Sequence, residues 1–115
     1  MRQAVLVIDG ASVASLLVAD TYRSRLRGML GRRTLPPALL ISPSRSVHGL
    51  GMMRSLDVAM LAPDGTVRAV DVLRPGRLCS SGPGTRSVLE APVGSFARWG
   101  LVPGSVVTVA PLPAP

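Results

Sequence analysis

Glycine and proline punctuate this chain so densely that no apolar run outlasts a single β-strand. Twelve glycines and eleven prolines are spread over 115 residues, and the longest apolar run, Ala11 to Ala19, already contains two serines. The chain is therefore turn-rich, and short strands joined by tight turns are expected. The same run falls well short of the ~20 residues that a membrane-crossing helix needs. A chain of this length fits one domain and can bury a core without staples. We expect that domain over residues 1–110, with the Pro-rich residues 111–115 as a frayed tail.

The elements follow from local chemistry. Gln3 to Ile8 and Ser12 to Ala19 are rich in Val, Leu and Ile, and the Asp9-Gly10 pair between them is a hairpin signal. From Asp20 the pattern changes to a helical period, with Tyr22, Leu26, Met29 and Leu30 on one face. Gly31 and then Pro36-Pro37 end it, so the main helix is expected near 20–31. Ala38 to Ser42 is a short apolar run, and Arg45 to Met53 is ambiguous. Asp57 to Leu61 and Thr66 to Leu73 flank an Ala62-Pro63-Asp64-Gly65 turn and read as a second hairpin. Arg74 to Thr85 reads as a loop, Ser87 to Ala91 as a strand, 94–99 as a short helical turn and Val106 to Ala110 as the last strand. The expected fold is mainly β: a curled, largely antiparallel sheet or partial barrel.

Charge narrows the partners. Thirteen arginines and no lysine face five aspartates and one glutamate, a formal net charge of +7. Arg23, Arg25, Arg27, Arg32 and Arg33 form a candidate anion or partner surface, although long side chains on a solvated helix face explain the same pattern. Only Tyr22, Phe96 and Trp99 are aromatic, so base-stacking platforms are scarce. Weak, non-specific nucleic-acid binding, lost in moderate salt, is the most that is expected. The lone Cys79 excludes an internal disulfide, and Asp9 and Gly10 break any signal-peptide core, so a cytoplasmic location is expected.

Chemistry-bearing residues are few. His48, Met52 and Met53, with Cys79 elsewhere, are soft ligand types, yet their spacing forms no ligand set, so no metal or cofactor is expected. One cysteine and one histidine allow a single dyad, Cys79 with His48, and Cys79 falls in the expected loop. Asp57 and Glu90 are carboxylates inside apolar strands, which suits either a general acid or base, or a structural acid paired with arginine or backbone N–H groups. The structural role is the one expected.

In order along the chain, Arg-Leu-Arg-Gly-Met-Leu-Gly-Arg (25–32), Val-His-Gly-Leu-Gly-Met (47–52), Leu56-Asp57-Val58, Asp64-Gly65-Thr-Val, Leu73-Arg74-Pro75, Val88-Leu89-Glu90-Ala91-Pro92-Val-Gly94 and Gly100-Leu-Val-Pro-Gly104 resemble the successive signatures of domain of unknown function 192. The resemblance runs from about Ala19 to Val109. It implies a compact β-rich prokaryotic domain with one or two short helices and no established activity. By position, His48, Met52, Asp57 and Glu90 match the family's recurring polar and sulfur positions. This chain departs from the pattern at Gly51, where many members carry an aromatic, at Gly104-Ser105, where many carry Gly-Asp, and between Pro36 and Arg45, which lacks the usual Gly-Met-aromatic run. Two functions are compatible with these residues. One is a non-enzymatic binding or accessory module with a groove near His48, Met52 and Asp57 for a small ligand or protein partner. The other is a small hydrolase-like enzyme using Asp57 or Glu90 with His48.

Overall fold

In the computed structural model of the protein, residues 1–21, 35–49 and 54–114 are described. Among these residues, nine strands and one short helix follow one another: β1 (Arg2–Ile8), β2 (Ala11–Ala19), β3 (Leu39–Ile41), β4 (Ser46–His48), β5 (Leu56–Leu61), β6 (Val67–Leu73), β7 (Leu78–Ser80), β8 (Ser87–Pro92), α1 (Ser95–Trp99) and β9 (Val107–Ala110). Seven strands form one sheet in the order β6-β5-β8-β3-β2-β1-β9, and β4 and β7 form a separate two-stranded ribbon. Every pair is antiparallel except β2 with β3. Parallel neighbours require a crossover. The connection between them includes the segment near 20–31 where a helix is expected; residues 22–34, with Arg23, Arg25, Arg27, Arg32 and Arg33, lie outside the described residues.

Both hairpins form where the turn chemistry places them. Asp9 and Gly10 adopt φ values of 49° and 86°, the doubly positive geometry that matches strand twist. At the second turn the Asp64 carboxylate accepts the Thr66 N–H at 2.9 Å, and Gly65 has φ 90°. A Cβ on Gly65 would overlap the Val107 carbonyl oxygen, so glycine is required there for space as well as for φ.

That approach also curls the sheet upon itself. Val67 N donates to Ser105 O and Val107 N to Gly65 O, at 2.8 and 2.9 Å, joining the start of β6 to the start of β9. Asp9 adds its own clasp, its N–H donating to Val106 O at 2.9 Å and its carboxylate accepting from Val106 N at 2.8 Å. The result is a half-barrel.

Its concave side holds Leu6, Leu16, Leu61, Leu89, Ala91, Phe96 and Leu101. On the convex side a second cluster gathers Leu39, Val47, Leu56, Val58, Met60, Leu73 and Val88, with the β4–β7 ribbon packed over it through Val47 and Cys79. Strands β5 and β8 thus lie between two apolar layers, which is why Leu56–Leu61 is buried at every position. Edge strand β6 is exposed from Arg68 to Val72, and the Asp71 carboxylate accepts the Val72 N–H at 2.7 Å, occupying a donor on that edge.

Residues 74–85 differ from expectation, because they contain β7, which pairs Leu78–Ser80 with Ser46–His48. Nothing in Leu-Cys-Ser signals a strand; the partner imposes it. Arg68 pins the following segment, its Nη1 donating to Thr85 Oγ1 at 2.9 Å and to Pro83 O at 3.1 Å. Arg68→Ala is expected to lower stability by about 1 kcal/mol in chemical denaturation, and an unchanged midpoint would show these bonds to be replaced by water.

Candidate functional site

Strand alternation sorts the two buried acids onto opposite sides of the sheet. On β5, Leu56, Val58 and Met60 belong to the convex cluster and Ala59 and Leu61 to the concave one, so Asp57 points to the concave side. On β8, Leu89 and Ala91 are concave and Val88 convex, so Glu90 points to the convex side. The strands are neighbours, with Val58 opposite Glu90 and Asp57 opposite Ala91.

Asp57 is 7% exposed. Its Oδ2 accepts the Gly94 N–H at 3.0 Å and the Phe96 N–H at 3.1 Å. Gly94 precedes α1 with φ 96° and has no side chain to cap the helix. Asp57 therefore supplies from another strand the oxygen that a Ser or Asp N-cap normally provides. The other end of α1 closes on Gly100, φ 66°, with the Leu101 N–H donating to Phe96 O at 3.0 Å. Asp57 has the backbone role expected of it, on the face away from the ribbon that carries His48.

Glu90 has no such compensation. It is 4% exposed, and its Oε2 has no hydrogen-bond donor among the described residues. Across the convex face it stands in a row of register partners, Asp71–Val58–Glu90–Leu39–Leu17. Burial among these aliphatic neighbours pushes its carboxyl up to about 7. The expected guanidinium pairing is not found among the described residues, where an ion pair joins Arg2 to Asp20 at 3.2 Å instead.

Above this row lies the ribbon. Cys79, opposite Val47, is half-buried against the convex cluster. Burial raises its thiol, and the charges of Asp71 and Glu90 raise it further, so it is a thiol and not a thiolate nucleophile at neutral pH. His48 is opposite Leu78 on the ribbon; its side chain, and Met52, lie outside what is described. Next to His48, Gly49 exchanges backbone bonds with Arg77 and Gly76, and a Cβ there would overlap the Arg74 carbonyl. Close approach thus accounts for the glycine of the Val-His-Gly motif.

Among the described residues, no three His, Cys, Asp or Glu side chains lie close enough together to hold a metal ion. No described helix is long and apolar enough to cross a membrane. An open groove of about 270 Å³ lies elsewhere, between Ser15 and Leu17 of β2, Pro36, Pro37 and Leu112, and contains none of the sequence-predicted site residues. Sequence reasoning found Glu90 but missed Cys79 and Asp71 as its neighbours. The register partners that bring them together are 13 to 32 residues apart in sequence, beyond any local signal.

Comparisons with known proteins agree with this architecture. Residues 4–109 match DUF192, described as an uncharacterized ACR. A UPF0127 protein of Pyrococcus abyssi is 32% identical over 82 residues, covering 67% of this chain and 70% of that protein. A Sinorhizobium meliloti crystal structure of a "putative transcription regulator" matches with a TM-score of 0.82 at 21% identity, covering 94% of each chain. A protein of unknown function from Novosphingobium aromaticivorans matches with a TM-score of 0.78 at 19% identity, covering 92% of this chain and 84% of that one. At such identities the structural likenesses speak for the fold alone.

Proposed function

The chain belongs to the DUF192 family, and from that premise we propose that it is a small non-enzymatic binding or accessory module whose ligand is taken up on the convex face, between Glu90 and the β4–β7 ribbon that carries His48. One observation carries this reading: Glu90 holds a carboxyl oxygen out of water with no donor to meet it. Such an atom costs about 1 to 3 kcal/mol or more when left unmet, a cost that a ligand N–H or O–H would remove. Met52 remains part of the proposed groove by position in the family motif. Asp57 serves it indirectly, by holding α1 in place. The location proposed is cytoplasmic, supported by the single unbridged Cys79, and the functional unit is residues 1–110.

The hydrolase-like alternative keeps one favourable feature, a Glu90 carboxyl near 7, which suits a general acid or base. Against it, Asp57 and Glu90 lie on opposite faces, and the Asp57 oxygen nearest α1 is already engaged by two amides. Native mass spectrometry of the protein isolated from its own host tests the binding role. The expected result is a small-molecule adduct on the wild type that is absent from Glu90→Leu. The bare chain mass in both, from gentle isolation, would count against a resident ligand.

A further inference from the structure

Every ionisable side chain that the described residues bring to Glu90 is an acid or a thiol. Flanking strands β5 and β3 face it with Val58 and Leu39, β6 contributes Asp71, and β7 contributes Cys79. On the ribbon's other strand, β4, the titratable residue is His48. No arginine meets Glu90 among the described residues, although the chain carries thirteen and a net charge of +7. Among the described residues, Glu90 is therefore a buried acceptor set among aliphatic, acidic and thiol groups, with no counter-charge on it.

We infer that the convex face at Glu90 selects ligands carrying a positively charged N–H group, a primary ammonium being the simplest, on a small apolar body. This rests on the binding role proposed above and specifies its chemistry. An ammonium supplies both things that the described residues do not, a donor for Oε2 and a counter-charge. A neutral hydroxyl or amide supplies only the donor, and charge-assisted bonds are roughly twice as strong as neutral ones. A carboxylate ligand meets Glu90 and Asp71 as like charges. The aliphatic neighbours Val58 and Leu39 suit an alkyl body and offer little to a polyhydroxylated one.

Charge selection also sets the sign of the pH dependence. An ammonium needs Glu90 ionised, so its binding strengthens as pH rises through about 7 and a proton leaves as it binds. A neutral carbonyl ligand would accept a bond from protonated Glu90 and show the opposite trend.

The test is an NMR titration of the full ¹⁵N-labelled chain with n-butylammonium chloride, butyramide and sodium butyrate, each at pH 6 and pH 8. The backbone amides of Leu39, Val58, Cys79 and Glu90 are the reporters. Butylammonium is expected to shift them, with a dissociation constant about ten-fold lower at pH 8 than at pH 6, the ratio of ionised Glu90 at those two values. Glu90→Gln is expected to abolish that pH dependence, and Asp71→Asn to weaken binding while keeping it. A pH dependence that persists in Glu90→Gln would belong to His48 and would overturn the inference. Tighter binding of butyramide at pH 6 would also overturn it while leaving the binding role standing. The absence of shifts with all three probes at tens of millimolar would remove both.

Discussion

Asp57→Ala is expected to lower the melting temperature by more than 10 °C. The wild-type carboxylate accepts two backbone N–H groups, from Gly94 and Phe96, across a separation of 37 and 39 residues. Hydrogen bonds to a charged acceptor contribute about 1.5 to 3 kcal/mol each, and the Phe96 amide would remain buried without a partner. A total near 3 kcal/mol, at about 4 °C or more per kcal/mol for a domain of this size, gives the stated shift. Asp57→Asn keeps an acceptor oxygen and loses only the charge, so its loss should be about half as large. A scanning calorimetry pair decides the matter. If Asp57→Ala melted with the wild type, α1 would be held by other means.

Glu90→Gln is expected to move stability the other way, and only above about pH 4.5. Burial raises the folded-state carboxyl from 4.5 to about 7. Between those values the unfolded chain has lost its proton and the folded one keeps it, so wild-type stability falls as pH rises from about 4.5 to 7 and is level above. The contribution is about 3 kcal/mol across that window. Glu90→Gln removes the slope, so it should match the wild type near pH 4.5 and exceed it at pH 8 by up to that amount. Urea unfolding at the two pH values measures both arms. A variant less stable than wild type at pH 8 would mean that Glu90 has an ionic partner after all, as its strand context led us to expect from sequence.

The contrast between the two acids shows what was legible in the chain and what was not. Turn chemistry is local, so Asp9-Gly10 and Ala62-Pro63-Asp64-Gly65 placed both hairpins within a residue or two. The short helical turn near 94–99 was readable from its glycine bracket, which closes α1 as Gly94 and Gly100. Strand β7 was not readable, because Leu78-Cys79-Ser80 is mostly exposed and is a strand only by virtue of β4. The faces of Asp57 and Glu90 were hidden for another reason. In a sheet buried on both sides, alternation separates neighbouring residues but does not tell which side is which. Two acids that looked equivalent in apolar strands therefore differ completely, one bound to a helix terminus and the other facing an acidic, aliphatic surface.

The pairing of β1 with β9 also dictates an order of assembly. Val5 to Ile8 lie against Val107 to Ala110, a closure spanning nearly the whole chain, whereas β1–β2 and β5–β6 are neighbours in sequence. Loop entropy makes such distant pairing late and slow relative to the hairpins. During synthesis, the outer edge of β1 must wait for almost every other residue to be added. The aliphatic edge Val5-Leu6-Val7-Ile8 is thus the segment most exposed to other chains before the protein leaves the ribosome.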